Sequence, residues 1–473
     1  MTYLYGASVQ GIQSFIFKTN ELRDIAGASE LVENICTKLF LDTIGKQTDD
    51  ETWTSEHQVI AAAGNVKYIL NEEECRKAVL LFPKRVMCAA PGITISQAVV
   101  KMENDFGEAI NKLEKKLHEV RNRPTKPLTL GLLGMRRSPR TGLPAIGYDN
   151  DGRPIDEATL AKKQSNNIKA LCKKSFGKDI EYSQIAYDTE DLTCGNDWIA
   201  IIHADGNGLG RVVQQIGHDK EKYKKFSYNL NEATKLSAQA AFKAVEQSFE
   251  SSKRIPIRPV VLGGDDMTVI IRGSLGIDYV KTYLEAFEDN TKRLLHALLP
   301  DDMEYLTACA GIAFIKSSYP FYYGYGLAEE LCSEAKKASG RKASCIMFHK
   351  VQDSFVTSYE DIVERELTID GKPKLKFGPY YLNKQDSYIS IADLQKLCVE
   401  IGRADCQGVK TGIRRWLTAL HESQGNAKQM LDRIKEVHGD KEALIDALTN
   451  ECHEAVPAAD ALSLYTIINQ KTR

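Results

Sequence analysis

Val260-Val261-Leu262-Gly263-Gly264-Asp265-Asp266-Met267-Thr268-Val269-Ile270-Ile271 is the stretch on which the reading of this chain turns. Two apolar, β-branched runs flank a glycine-rich turn, and that pattern reads as a β-hairpin. Glycine in the turn supplies backbone angles that other residues reach only at a steric cost. The adjacent carboxylates of Asp265 and Asp266 are less ordinary, because like charges so close repel unless a cation or a basic group compensates them. An exposed acidic hairpin tip is the plain alternative.

Working outward, Trp198-Ile199-Ala200-Ile201-Ile202-His203-Ala204 reads as a buried strand, and an amphipathic helix follows from about Asp219 to Phe249. Beyond the hairpin come a helix (Tyr279 to Leu298), a strand (Leu306 to Ile315) and a helix (Ala328 to Ala338). The order over residues 196–350 is β-α-β-β-α-β, that of a ferredoxin-like split βαβ unit. Residues 1–120 repeat it. There, a helical run spans Ala28 to Ile44, and Val59–Ala63 and Val66–Leu70 form a hairpin around Gly64-Asn65. A charged helix (Glu72 to Leu81), a strand (Gly92 to Ala98) and a helix to about Val120 complete that unit. Between the repeats, residues 121–195 carry Pro124, Pro127, Pro139, Pro144 and Pro154, with six Arg/Lys and no acid from Arg121 to Arg140. This predicts an irregular connector with a basic face. Residues 351–389 read as a linker. Residues 390–473 read as helical, with apolar residues at three- and four-residue intervals (Leu394, Leu397, Ile401; Leu431, Ile434, Val437). The fold class expected is therefore α+β: two ferredoxin-like βαββαβ units, an irregular connector and a C-terminal helical domain.

The topology brings chemistry together. The first strand of the second unit ends in Ala204-Asp205-Gly206-Asn207-Gly208-Leu209-Gly210. In a βαββαβ sheet that strand neighbours the hairpin, so Asp205 is expected to face Asp265 and Asp266. Carboxylates converging from separate elements make a hard-oxygen site suited to Mg²⁺ or Mn²⁺. Two ions could activate a 3′-hydroxyl and hold a triphosphate for in-line displacement. Gly206, Asn207, Gly208 and Gly210, with Gly263 and Gly264 of the turn, would let backbone N–H groups and a helix N-terminus approach phosphates. Ala335-Lys336-Lys337-Ala338-Ser339-Gly340-Arg341-Lys342 holds four cations, of which Lys336 and Arg341 are placed to neutralise a triphosphate.

Composition narrows the class. With 473 residues, 62 Lys+Arg and 64 Asp+Glu, a net charge of −2 excludes a broadly basic protein that coats nucleic acid and leaves room for a local basic patch. No apolar run approaches the roughly 20 residues of a membrane span, and the opening residues lack signal-peptide features, so a cytoplasmic protein without membrane contact is expected. The 11 cysteines are scattered singly with no Cys-x-x-Cys pair, which argues against a zinc ribbon or a secreted disulfide scaffold.

The motifs together resemble the polymerase/cyclase large subunit of type III CRISPR effectors over nearly the whole chain. Ser8-Val9-Gln10-Gly11-Ile12-Gln13-Ser14-Phe15-Ile16-Phe17 and Leu22-Arg23-Asp24-Ile25-Ala26-Gly27-Ala28-Ser29 resemble its opening signature. Ala62-Ala63-Gly64-Asn65 is similar to the turn of its first, inactive palm domain. Asp205–Gly210 and Gly263–Asp266 are similar to its catalytic palm, and Ala310-Gly311-Ile312-Ala313, Pro320-Phe321 and Ala335-Lys336 to the end of that palm. Gly378-Pro379-Tyr380 and the helical end resemble its closing segment. The resemblance implies two palms, Mg²⁺-dependent use of ATP, and synthesis of cyclic oligoadenylates or a related cyclic nucleotide in antiviral signalling. It assigns catalysis and metal binding to Asp205, Asp265 and Asp266.

The sequence departs from that family in three places. No His-Asp nuclease domain precedes the first palm; the single His-Asp pair, His218-Asp219, follows the catalytic strand. The cysteines that bind zinc between the palms of relatives are missing around Ser138-Pro139-Arg140-Thr141-Gly142-Leu143-Pro144-Ala145. Asn207 stands where many relatives have a second Asp, which leaves the number of metals open, and Cys309 stands where relatives tend to have Ser. A buried core cysteine is the expectation there, a pocket-lining one the alternative. A competing reading makes the chain a non-catalytic scaffold or RNA-complex subunit, with Arg121–Arg140 and Arg414-Arg415 near Trp416 touching RNA or effector subunits. A diguanylate-cyclase-type enzyme is a third reading, and a homodimer completing the site is also open.

Overall fold

The hairpin forms one edge of the chain's larger sheet, beside the strand that carries Asp205. In a computed structural model, residues 1–47, 50–62, 64–103, 105–123, 133–165, 168–193, 198–249, 254–353, 358–385 and 388–468 are described. Strands β7 (Trp198–Gly206), β8 (Ile257–Gly263), β9 (Asp266–Arg272) and β10 (Ala308–Lys316) lie in the order β10-β7-β9-β8, all antiparallel. The first unit repeats this with β1 (Thr2–Gln10), β2 (Gln58–Ala62), β3 (Asn65–Asn71) and β4 (Thr94–Met102) in the order β2-β3-β1-β4. Both are the ferredoxin-like arrangement read from the sequence, and the α+β class stands.

Strand β7 explains its own unbroken apolar run. Trp198, Ala200, Ile202 and Ala204 belong to one core and Ile199 and Ile201 to another, so successive side chains enter different apolar layers. A strand buried on both faces does not alternate apolar with polar. The second layer is shared between the repeats: Tyr5, Phe15, Ile25 and Val32 from the first pack with Ile199, Ile201, Val260 and Ile270 from the second. Ser29 Oγ donates to the Val260 carbonyl across this junction. The other layer is covered by the Lys220–Glu246 and Gly276–Leu295 helices and by the C-terminal helices. The Lys220–Glu246 helix starts where the Asp219 side chain accepts from the backbone N–H groups of Glu221 and Lys222.

Several elements differ from the expectation. The helix at Glu72 continues through Pro83 to Ala89, because buried Phe82 and Val86 hold the turn that the proline weakens. Residues 121–195, expected to be irregular, carry a small hairpin (β5, Ala145–Tyr148; β6, Pro154–Asp156) and helices at Glu157–Gln164, Ile168–Phe176 and Thr189–Thr193. Buried Leu171, Cys172 and Phe176 draw the middle helix onto the core. Positions 124–132 of the basic stretch lie outside the described residues. The second sheet also gains β11 (Cys345–Lys350), parallel to β10, and β12 (Tyr380–Tyr381), so residues 351–389 feed a strand into it. The C-terminal region is helical, and Leu394, Leu397, Ile401 and Ile434 face the core as read. Val437 instead ends its helix 65% exposed. Among the described residues no helix is long and apolar enough to cross a membrane.

Candidate active site

Each acidic residue is delivered by a different piece of backbone. Asp205 is the penultimate residue of β7; its register pairs it with Cys309 on β10, and Ala204 with Met267 on β9. One more step of that register sets Asp205 beside Asp266, the first residue of β9. Gly263 and Asp266 face each other across the hairpin, leaving Gly264 and Asp265 as a two-residue turn. Gly264 takes a φ of 62°, the left-handed region in which a side chain is strained. The turn is pinned from below by Thr234 of the Lys220–Glu246 helix, whose Oγ1 donates to the Gly264 carbonyl at 2.6 Å. At Gly206 a β-carbon would stand 3.0 Å from Asp265 Cβ, so glycine there lets the turn close on β7.

Carboxylate oxygens of Asp205, Asp265 and Asp266 lie within 4.8 Å of one another, the one such grouping of ligand side chains among the described residues. All three residues are half-buried. Burial, with the charges of Asp266 and Asp205 added, pushes the Asp265 carboxyl well above the ordinary carboxylate range. Asp266 is raised too, by burial and then by Asp205. Crowded carboxylates of this kind are relieved by a divalent cation, and an all-oxygen donor set fits Mg²⁺ or Mn²⁺. The residues present therefore fit the metal the sequence implies.

Lys336 enters the same site. It sits near the end of the Phe321–Ala338 helix, is 6% exposed, and its Nζ contacts Asp205 Oδ2 and donates to the Gly206 carbonyl at 3.0 Å. The helix reaches so far because of Gly311 on β10. A β-carbon there would fall 2.0 Å from the Ala328 carbonyl oxygen and 2.4 Å from the Cys332 nitrogen. Arg341 lies beyond the helix, exposed and with φ at 60°, and among the described residues it makes no ion pair with the carboxylates.

The remaining candidates divide. Gly208, with φ at 79°, caps the Leu209–Ile216 helix, and Gly210 lies exposed in that helix's first turn with nothing within 4 Å of its missing β-carbon. Asn207 is engaged elsewhere than with the carboxylates: its Nδ2 donates to Thr307 Oγ1 at 3.0 Å and Cys309 Sγ at 3.3 Å, and its Oδ1 has no hydrogen-bond partner among the described residues. Cys309 is fully buried, 3.6 Å from Cys345 Sγ, so the core reading holds for it. Of the arginines in the basic stretch, Arg136 meets Tyr148, Arg137 donates to the Gly142 carbonyl, and Arg140 pairs with Glu21 of the first unit. Arg414 and Arg415 are exposed beside buried Trp416.

One feature escaped the sequence reading. A cavity of about 150 Å³ runs from Asp266 to the first unit, lined by Gly11, Ile12 and Gln13 on one side and His203, Thr268 and Tyr325 on the other. Burial pushes the His203 imidazole down to about 4, and its Nδ1 lies 3.1 Å from Thr268 Oγ1. Gly11-Ile12-Gln13 was visible as part of the opening signature, but nothing in its composition marked it as a wall of the site.

Residues 198–345 match the family described as Cas10/Cmr2, second palm domain. The whole chain is similar in fold to a chain of a Csm1–Csm4 cassette solved in complex with cA4, at a TM-score of 0.58 and 15% identity, covering 99% of this chain and 69% of that one. It is similar to the cassette in complex with AMPPNP, at 0.55 and 14%, covering 100% and 70%. A third likeness is to Csm1 in T. onnurineus, at 0.56 and 14%, covering 99% and 70%. No curated protein matches the sequence.

Proposed function

We propose that this chain is a metal-dependent nucleotidyltransferase that converts ATP, or another nucleoside triphosphate, into a cyclic oligonucleotide messenger of a type III CRISPR-like antiviral system. The observation that carries the proposal is the convergence of Asp205, Asp265 and Asp266 on one point with the Lys336 ammonium among them. That this happens inside the segment matching the Cas10/Cmr2 second palm supports it, as does the fold shared with chains crystallised with cA4, pppApA and AMPPNP.

The reaction is attack of a 3′-hydroxyl on an α-phosphate with departure of pyrophosphate. Asp205, Asp265 and Asp266 are the residues that would hold a divalent ion, which would supply Lewis-acid activation of the hydroxyl and charge against the phosphates. Asp205, Asp265 and Asp266 bind and orient that charge, and Lys336 neutralises the triphosphate. The backbone N–H groups after Gly208, at the start of the Leu209–Ile216 helix, would meet phosphate oxygens of a bound triphosphate. The cavity between the repeats, lined in part by Asp266, supplies room beside the carboxylates for part of a nucleotide at most. Several of the structures of similar fold are Csm1–Csm4 complexes, and we propose that this chain too acts with a second subunit.

The test is incubation of the purified chain with each NTP and Mg²⁺ or Mn²⁺, products identified by mass, with and without RNA. Asp265→Ala with Asp266→Ala should abolish product while leaving the fold intact. Turnover equal to wild type in that double variant removes the assignment. Salt-dependent RNA affinity without nucleotide turnover would favour the scaffold reading.

A further inference from the structure

We infer that Lys336 occupies the carboxylate site as a resident cation when no nucleotide is bound, and that its transfer from Asp205 to an incoming triphosphate makes divalent-metal binding depend on nucleotide. This rests on the proposed function and adds the regulation of its site.

The Lys336 ammonium is almost wholly buried, and its partners are Asp205 Oδ2, a group a metal would need free, and the carbonyl of buried Gly206 beside it. A buried cation is tolerated only with a paired charge and satisfied donors, which Asp205 and Gly206 provide. The other cations of the segment do not substitute for it. Lys337 is exposed and pairs with Glu334, and Arg341 is exposed beyond the helix end.

A divalent ion and an ammonium cannot share the edge of Asp205 without strong repulsion in a half-buried site. The ammonium can leave while the helix stays. Phe321, Leu331 and Ala335 lock the helix into the shared core, whereas the lysine head rides on a flexible four-carbon stem. A triphosphate offers the displaced head a new anionic partner. Metal and nucleotide then favour each other's binding, and linkage requires that the effect be reciprocal. Free metal alone must compete with Lys336, so the nucleotide-free chain does not hold a metal tightly.

The test measures Mn²⁺ binding to the full chain by electron paramagnetic resonance, with and without AMPPNP. Wild type should bind Mn²⁺ at least tenfold more tightly with AMPPNP than without. Lys336→Met should tighten nucleotide-free Mn²⁺ binding about tenfold and shrink the AMPPNP enhancement to less than threefold, even as turnover falls. Lys336→Gln, which keeps a donor for the Gly206 carbonyl, serves if the methionine variant melts early, and should behave alike. Nucleotide-free Mn²⁺ binding in both variants that is no tighter than wild type overturns the inference. If Asp205→Asn and Asp266→Asn weaken Mn²⁺ binding while the Lys336 variants leave it unchanged, only the inference falls. If the aspartate variants leave it unchanged, the proposed function falls with it.

Discussion

Gly311→Ala adds a single methyl group in the middle of β10 and should cost both stability and turnover. The new β-carbon would sit 2.0 Å from the Ala328 carbonyl oxygen, against about 3.4 Å for an ordinary contact, so the Phe321–Ala338 helix must retreat by somewhat more than 1 Å. The obstructing atoms are backbone, including the Cys332 nitrogen at 2.4 Å, and no rotamer change relieves them. Overpacking a core costs ~1–3 kcal/mol, and the rigid obstruction here points to the upper end. The same retreat draws Lys336 away from Asp205. A 1 Å misplacement of a positioning element costs ~10²-fold in rate. The assay pairs thermal melting with pyrophosphate release from ATP, with Gly326→Ala as control. Gly326 lies in the same helix with nothing within 4 Å of its missing β-carbon, so alanine there should be neutral or stabilising by up to ~1 kcal/mol. A Gly311→Ala protein that melts and turns over like wild type would refute the claim that close helix approach builds this site.

Two further outcomes follow from the turn. Asp265 and Asp266 hold protons in the metal-free folded chain at pH values where unfolded carboxylates have lost them. The folded state then binds more protons than the unfolded one, so stability falls as pH rises. In EDTA the melting midpoint should drop between pH 5 and pH 8, and Asp266→Asn should flatten the drop; an identical slope in both proteins contradicts the burial-driven shift. Thr234→Val removes the donor to the Gly264 carbonyl while keeping side-chain volume, and should cost about 1 kcal/mol along with a clear fall in turnover. Thr234→Ser should restore both, and equal behaviour of the valine and serine variants would count against the pin.

The parts of the fold carried by local chemistry were legible. Gly263–Asp266 between two β-branched runs announced the hairpin, and the repeated βαββαβ order placed Asp205 against it. Long-range contacts were not legible. Nothing around Cys345 told that its strand would join β10 in parallel, because a short apolar run has the same appearance in a strand or a buried helix. The cavity wall at Gly11-Ile12-Gln13 is created by contact between units more than 180 residues apart, and no window of sequence contains both sides. Asn207 shows the limit at single-residue scale. Its neighbours placed it in the site, yet its amide is drawn to Thr307 and Cys309, which only the folded register brings within reach.

Strand β7 is apolar on both sides because each side belongs to a different neighbour. Cut from the chain at residues 198–345, the matched segment would keep Ile201 under its own Phe321–Ala338 helix but would present Val260 to water where the first repeat now packs against it. The repeat without the acidic turn thus serves the other twice, as packing beneath the hairpin and, at Gly11-Ile12-Gln13, as a wall of the cavity beside Asp266.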